Sequence, residues 1–293
     1  MRDHQQPGTH LHQKTRVEHK AIASEYLERD VSIDFYLPPG MRSRSEASTR
    51  HSTILDHPAG VSLLLVNDGQ DLPKMHFRRI LDDLIAEDSI RPLLCVGIHC
   101  GKDRKMEYGT ARVLDFQGRG RKAQAYTHFI FKELLPFIRK ETGAHHFHDK
   151  SFAGFSLGGL SALDIVWHHP YEFRNVGVFS GSLWWRSRDL DDGYVEDRDR
   201  IMHQQIRKGH YAPWLKFFFQ TGVLDETADR NNNGIIDSID DTLSLMDELE
   251  KKGYQRGKDM VYLEFEDGRH DVPTWGRAMP EFLRWGFSKI TEH

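Results

Sequence analysis

One serine of the chain is surrounded by glycine at a spacing that suits nucleophilic catalysis. The stretch GFSLG (154–158) places Ser156 between Gly154 and Gly158, after an apolar run typical of a buried strand and before a run with helical spacing. In a G-x-S-x-G turn, small neighbours let strand and helix pass closely, so that the serine side chain projects from the sheet. The helix then directs its positive end at the hydroxyl. The alternative is that Ser156 only caps this helix.

A serine hydroxyl becomes a nucleophile when a base takes its proton and an acid orients that base. In α/β sheets that carry such a serine turn, the nucleophile, the acid and the base follow the chain order serine, acid, histidine. Among 18 histidines, His270 follows the last predicted strand and precedes the last predicted helix, so it is the predicted base. Asp225 stands closest to the end of the preceding strand and is the predicted acid. Asp229 is the alternative acid.

Backbone N–H groups must stabilise the negative charge that develops on an ester oxygen during attack. The residue after the nucleophile, Leu157, is expected to supply one of them. The loop NDGQ (67–70) follows an apolar strand, and its glycine lets the backbone turn an N–H inward. Gly69 and Gln70 are therefore the other candidates for an oxyanion hole, although Asp-Gly alone also forms ordinary turns.

A second pattern overlaps the acid loop. The stretch DRNNNGIIDSID (229–240) has oxygen donors at the positions of a calcium loop, with glycine at its sharp turn. An aspartate in the last position shortens the reach towards a metal. The alternative is a polar turn that caps the next helix. We expect a structural Ca²⁺ and no cofactor for catalysis. The predicted ligands are Asp229, Asn231, Asn233, the carbonyl of Ile235, Asp237 and Asp240.

These residues require a fold that brings the ends of several strands together. Continuous apolar runs bounded by Gly, Asp or Asn are typical of buried parallel strands, and segments with helical spacing separate them. The alternation predicts an α/β fold with a doubly wound, mostly parallel sheet and helices on both faces. The predicted strands are 30–40, 61–69, 93–98, 150–155, 175–181, 216–222 and 260–268.

Length and composition favour a single domain over residues 21–293, preceded by a flexible polar tail over residues 1–20. A formal net charge of −4 excludes the basic field that nucleic acid requires. No stretch has the apolar length of a signal peptide or a membrane span. Cys95 and Cys100 form no C-x-x-C pair and are expected to be reduced thiols. A cytoplasmic protein with no membrane partner is predicted, and no pattern indicates an oligomeric state.

Between residues 25 and 290 the order and spacing of the motifs resemble the putative-esterase family of α/β-hydrolases, which includes enterochelin esterases and esterase D. The resemblance is carried by VNDGQDL (66–72), DRKMEYG (103–109), FAGFSLGGLSAL (152–163), FSGSLWW (179–185), TGVLDE (221–226) and DGRHDVPTW (267–275). The tryptophan pair is most similar to the enterochelin esterase branch. This similarity implies that Trp184 and Trp185 wall an acyl or aromatic pocket; core packing is the alternative for each.

Arg104 and Glu107 have the i, i+3 spacing of a local ion pair. We expect this structural role for Arg104. If its loop borders the pocket, Arg104 would instead meet an acidic group of the substrate.

The combined prediction is an enterochelin esterase-like serine hydrolase that uses Ser156, Asp225 and His270 on a small-molecule ester. The sequence does not identify the acyl or alcohol group. Two alternatives stay open: an acyltransferase that passes the acyl group to a sugar or another alcohol, and a non-catalytic binding protein on the same scaffold. The retained order of serine, acid and histidine favours catalysis over the last.

Overall fold

The computed structural model describes residues 14–41, 43, 60–144 and 146–289. Within them, strands form one eight-stranded sheet. The strands are β1 (Arg16–Ser24), β2 (Arg29–Leu37), β3 (Ser62–Asn67), β4 (Leu93–Ile98), β5 (Lys150–Phe155), β6 (Asn175–Phe179), β7 (Lys216–Leu224) and β8 (Met260–Arg269).

The sheet has the strand order β1-β2-β4-β3-β5-β6-β7-β8. Strand β2 pairs antiparallel with both β1 and β4, and every other pairing is parallel. Strands β3, β4 and β6 are buried along their whole length, as their continuous apolar runs predict. The predicted α/β class and mostly parallel sheet are confirmed.

Helices cover both faces of the sheet, which divides the apolar core into two clusters. The helices are α1 (Phe77–Ala86), α2 (Arg104–Glu107), α3 (Ala123–His128), α4 (Leu135–Thr142), α5 (Leu157–His168), α6 (Glu196–Asp199), α7 (Ile201–Lys208), α8 (Asp237–Lys252) and α9 (Val272–Phe287). A π-helical segment, Phe129–Leu134, joins α3 to α4. Helices α1 and α9 pack on one face, and α5, α7 and α8 pack on the other. In the described part of the chain, no helix has both the length and the apolar character of a membrane span.

Strand β1 begins inside the segment predicted as a flexible tail. Residues 16–20 pair with β2 in register, so the predicted boundary at residue 20 is wrong. The strand is the sheet's edge, and its first residues are only partly buried, which gives it little apolar signal. Residues 1–13 of the predicted tail and most of the connection 41–60 lie outside the described residues.

The predicted ion pair between Arg104 and Glu107 is also wrong. Glu107 has a fully buried side chain and binds Arg29 at the start of β2. Two parallel hydrogen bonds of 2.7 Å, Nε to Oε1 and Nη2 to Oε2, join them. A buried carboxylate needs such a bidentate partner. The pair therefore fixes α2 against the β1–β2 hairpin.

Replacing Arg29 by Met should destabilise the fold by about 3 kcal/mol, because it leaves the charge of Glu107 buried and unpaired. Urea unfolding of both proteins measures the difference. Arg277→Met is the matched control, since its partner Asp267 is exposed, and its loss should be much smaller. Equal losses would show that the pair at Glu107 contributes no more than a surface pair.

Candidate active site

Helix α5 crosses strand β5 so closely that glycine is required at position 154, and Gly158 lies against the loop after β3. A Cβ atom on Gly154 would lie 2.3 Å from the carbonyl oxygen of Gly158, and one on Gly158 would lie 2.6 Å from Oδ2 of Asp68. Between them Ser156 adopts φ 54° and ψ −123°, a strained conformation for a residue with a side chain. Ser156 therefore stands on a sharp turn at the carboxyl end of a central strand and at the N-terminus of a helix.

The loop after β6 holds the backbone of Ser156. The Ser156 N–H donates to the carbonyl of Phe179 at 2.8 Å, and the Ser182 N–H donates to the carbonyl of Ser156 at 3.1 Å. The Ser182 hydroxyl lies 3.4 Å from the Ser156 hydroxyl. Ser182 was not among the predicted site residues; its signal is a serine directly after the predicted strand 175–181.

The three residues predicted for an oxyanion hole all stand at helix starts. Leu157 is the first residue of α5, and Gly69 and Gln70 open a short 3₁₀ helix. N–H groups at such positions have no acceptor inside their own helix. Gly69 has a further role, since a Cβ atom there would lie 2.4 Å from the carbonyl carbon of Gly97 on β4. Gly69 is thus needed for packing as well as for any contribution from its N–H.

Gln70 is held by its side chain. Its Oε1 accepts from the backbone N–H of Cys100 at 3.1 Å, and its Nε2 lies 3.2 Å from the Cys100 sulfur. Both contacts come from the residues after β4. They fix the 3₁₀ turn against the neighbouring strand, so the backbone N–H of Gln70 has a defined position.

A buried polar network joins the loop after β3 to the serine turn. The Asn67 amide donates to the carbonyl of Gly158 at 2.8 Å and accepts from the Tyr126 hydroxyl at 2.5 Å. The Asp68 N–H donates to the Tyr108 hydroxyl at 3.2 Å. Burial strengthens such bonds and makes their loss costly. The network therefore sets the position of the 67–70 loop relative to Ser156.

Arg104 lies beside the 67–70 loop, where its side chain pairs with Asp68. Its guanidinium donates to both carboxylate oxygens of Asp68 at 2.7 Å, and more weakly to the carbonyl of Phe155 at 3.4 Å. The bidentate geometry is typical of strong arginine–carboxylate pairs. Two of the donors that could meet an acidic substrate group are thus already engaged.

His270 and Asp225 follow neighbouring strands and lie at the same edge of the sheet as Ser156, where the parallel strands have their carboxyl ends. Asp225 comes directly after β7, and His270 directly after β8. The turn at His270 is fixed by Asp271, whose carboxylate accepts from the N–H of Thr274 at 3.0 Å as the N-cap of α9. His270 as a whole residue remains accessible to solvent, although its ring is partly desolvated.

Trp275 connects three parts of the site. Its ring stacks on Phe155 with centroids 5.0 Å apart, and it packs edge-on against the His270 ring at 5.3 Å. Its indole N–H donates to the Ser180 hydroxyl at 3.0 Å. The motif DGRHDVPTW contains Trp275, but nothing in its spacing indicates these contacts.

Charges of both signs around His270 shift its pKa in opposite directions. Loss of hydration lowers the pKa of His270; the nearby Arg104 cation lowers it further, whereas the Asp225 and Asp271 carboxylates raise it. Burial raises the pKa of Asp225, and this shift is opposed by the Ser180 hydroxyl and by His270. Within the described residues, however, neither carboxylate oxygen of Asp225 has a partner at hydrogen-bonding geometry. His270 and Asp225 therefore interact as charges rather than through a formed hydrogen bond.

Asp229, the alternative acid, is engaged in its own loop. Its carboxylate accepts the N–H groups of Asn233 at 3.1 Å and of Gly234 at 2.9 Å. It is not among the groups that shift the pKa of His270. Of the two candidate acids, Asp225 is the one whose charge reaches the imidazole.

The predicted calcium loop forms a polar cluster at the start of α8. The amides of Asn231 and Asn233 donate to the Asp240 carboxylate at 3.1 and 3.3 Å. Asp237 instead pairs with Arg230, at 3.1 Å, and Ile235 is exposed. Over the part of the chain that the structure describes, no group of three or more His, Cys, Asp or Glu side chains is arranged to hold a metal ion. Any calcium site here depends on the asparagine and backbone oxygens.

The two tryptophans of the FSGSLWW motif differ in environment. Trp185 is fully buried, and its indole N–H donates to the Thr110 hydroxyl at 3.1 Å. Its ring fills the space beside Gly109, where a Cβ atom would lie 2.6 Å from it. Trp185 is thus a core residue rather than a pocket wall. Trp184 is partly exposed, with the Arg119 guanidinium 5.0 Å from its ring.

A serine on a strand–turn–helix elbow, with an acid and a histidine after the following strands of a mostly parallel sheet, defines an α/β-hydrolase of the esterase type. The sequence profile of the family described as "Putative esterase" matches residues 24–285. The chain belongs to this family, which places it among the carboxylic ester hydrolases.

Individual relatives are distant. An uncharacterized protein, YjcH, of Bacillus subtilis is 22% identical over 263 residues, which cover 88% of this chain and 92% of the relative. An iron(III) enterobactin esterase of Escherichia coli is 24% identical over 156 residues, covering 53% of this chain and 34% of the relative. The solved enterobactin esterase of Shigella flexneri superimposes with a TM-score of 0.64 at 18% identity, covering 92% of this chain and 58% of that protein. The chain thus spans less than two thirds of the length of both enterobactin esterases.

Two substitutions should move the pKa of His270 in opposite directions. Asp225→Asn removes a charge that raises this pKa and should lower it; Arg104→Gln removes a charge that lowers it and should raise it. NMR titration of labelled histidines measures both, with the His270 signals assigned from their absence in His270→Gln. Asp229→Asn is the matched control and should leave the pKa unchanged. A shift with Asp229→Asn as large as with Asp225→Asn would contradict the described geometry.

Proposed function

We propose that the protein hydrolyses carboxylic esters with Ser156 as nucleophile, His270 as general base and Asp225 as the acid that orients it. The observation that carries the proposal is the strained elbow at Ser156, because such a conformation persists only where surrounding structure maintains it. The electrostatic interaction of His270 with Asp225 supports the assignment of base and acid.

The reaction proceeds in two halves. His270 takes the proton of Ser156 as its oxygen attacks the ester carbonyl, and the N–H groups of Leu157 and of Gly69 or Gln70 stabilise the resulting oxyanion. His270 then protonates the departing alcohol, which leaves an acyl group on Ser156. Water, deprotonated by His270, attacks this acyl group, and His270 returns the proton to the Ser156 oxygen as the acid leaves.

The substrate class is to be found with a panel of esters. The similarity to enterobactin esterases makes catecholate esters the first class to test. Feruloyl esters, acetylated sugars and short p-nitrophenyl esters complete the panel. Adding an alcohol to each reaction, and analysing the products, separates hydrolysis from acyl transfer.

Ser156→Ala and His270→Ala should each lower kcat on the best ester by more than about 10³-fold, and the double variant should lose little more, since both belong to one catalytic unit. Ser156→Ala should also lose labelling by a fluorophosphonate. Ser89→Ala and His146→Ala, which remove the same groups elsewhere, are the matched controls. Normal turnover by Ser156→Ala would reject the mechanism.

The pH profile supplies an independent readout of the base. His270 acts in its neutral form, so activity is present above its pKa and is lost as the pH falls through it. Because this pKa is lowered, the acid limb of kcat/KM should lie below the ordinary histidine value of about 6.5.

We also propose that the loop 229–240 binds one structural Ca²⁺. Asp229 and Asp240 lie at opposite ends of a cluster that contains both asparagines, and Gly234 adopts φ 83° at the turn between them. The amides of Asn231 and Asn233 would turn their oxygens towards the ion. Asp237 occupies the position at which calcium loops commonly bind through water, which is compatible with its pairing to Arg230.

Calcium should raise the free energy of unfolding, because an ion that binds only the native state stabilises it by about 2.7 kcal/mol at about 100 times its Kd. Thermal unfolding with calcium and with chelator measures the effect, and elemental analysis after dialysis gives the stoichiometry. Asp229→Ala and Asp240→Ala should abolish the response, whereas Asp83→Ala on α1 should retain it. No retained calcium, with melting indifferent to chelator, would leave the loop as a polar turn.

A further inference from the structure

A cavity of ≈ 710 Å³ lies at the end of α5 that is remote from Ser156. Helix α5 begins beside Ser156 and ends at His168, whose side chain lines the cavity. At 1.5 Å per residue this helix spans about 17 Å. The other walls come from the segment 112–113, helix α7 and the loop 209–214. The cavity is therefore separate from the candidate active site.

The lining of the cavity is positively charged. The described residues that line it include arginine, lysine and histidine but no aspartate or glutamate. Arg198 is paired with Asp199. The side chains of Arg112 and Lys208, by contrast, have no ion pair or hydrogen bond within the described residues. In a protein with a net charge of −4, two unpaired cations at one concave site favour an anionic ligand.

The cavity also presents aromatic surface. Tyr171 is 90% exposed, and its ring lies 5.4 Å from that of Trp214. The indole N–H of Trp214 donates to the carbonyl of Pro170 at 2.7 Å, and that of Trp167 donates to the carbonyl of Gln205 at 3.2 Å. With its indole N–H satisfied, Trp214 offers ring surface to a ligand beside Tyr171, whereas Trp167 is largely buried.

Gln205 adds an unsatisfied amide to the wall. Both polar atoms of its side chain are enclosed, and neither has a hydrogen-bonding partner within the described residues. A buried polar group without a partner is rare and costly. Because both atoms are enclosed by protein, a ligand in the cavity would reach them only if the Gln205 side chain turned towards it.

We propose that this cavity is a second, non-catalytic site for a small aromatic carboxylate. The carboxylate is bound by Arg112 and Lys208, and the ring is covered by Tyr171 and Trp214. The volume lies within the range of small-molecule sites. A neutral aromatic molecule would leave both cations unpaired, and a non-aromatic anion would leave the rings exposed. The proposal does not depend on the esterase mechanism.

The test is calorimetric titration of the full chain with benzoate, 4-hydroxybenzoate and 1-naphthoate. At least one should bind saturably at one site, equally well to wild type and to Ser156→Ala. The neutral isostere of that ligand, its carboxamide, should bind at least about tenfold more weakly, as expected for the loss of charge-assisted hydrogen bonds. Failure of all three to bind at up to about 10 mM, a concentration that corresponds to negligible specific affinity, would overturn the proposal.

Matched variants locate the site. Arg112→Gln and Lys208→Gln should each weaken binding about tenfold, with unchanged melting temperature because both side chains are exposed. Lys140→Gln on α4 removes an exposed charge outside the cavity and should leave the affinity unchanged. Two results would overturn the assignment. One is an affinity in Arg112→Gln and Lys208→Gln equal to that of the wild type. The other is loss of binding after fluorophosphonate labelling of Ser156, which would place the ligand in the active site.

Discussion

The close crossing of β5 and α5 is the constraint on which the candidate active site depends. With the Gly154 and Gly158 backbones nearly in contact, the residue between the strand and the helix must turn sharply, and Ser156 takes a positive φ. Such a conformation costs about 1–3 kcal/mol and persists only when its surroundings over-determine it. Here the bonds of Ser156 to Phe179 and Ser182 supply that support. Because these bonds hold the backbone, the direction in which the serine side chain leaves it is set before any substrate binds.

Trp275 positions the proposed acid, Asp225, and the proposed base, His270, relative to this elbow. Parallel strands bring Asp225 and His270 to the edge where Ser156 stands, but each residue lies on its own loop. Trp275 stacks on Phe155, the residue before Ser156, contacts the His270 ring and donates to Ser180. Burial raises the pKa of Asp225, and the Ser180 hydroxyl opposes this shift. One buried side chain thus relates all three loops, and the ionic interaction of Asp225 with His270 acts across an arrangement that packing has already defined.

The sequence predicted the elements whose signal is local, and it failed where partners are distant. Buried parallel strands such as β3 and β5 carry continuous apolar runs, so their positions were predicted within a few residues. Strand β1 is recognisable only through its pairing with β2. The spacing of Arg104 and Glu107 suggested a local pair, yet their partners lie 36 and 78 residues away in sequence, and α2 is only four residues long. Burial of Trp185 depended similarly on Gly109, which no spacing rule connects with it.

Helix α5 has different electrostatic roles at its two ends. Its N-terminus carries the positive end of the helix dipole towards Ser156, where an oxyanion would form. Its C-terminus is negative, but the effect is limited to the last turn, and the His168 ring already contacts the Asp164 carbonyl there at 2.8 Å. This carbonyl is thus occupied by the His168 ring rather than by Arg112 or Lys208, the cations of the cavity. Helix α5 is buried from Leu157 to Trp167, so a displacement of this helix would disturb its packing along most of its length. A ligand in the cavity could affect Ser156 only if it bound two states of this helix unequally. The packing of α5 therefore favours independence of the proposed cavity site from the candidate active site.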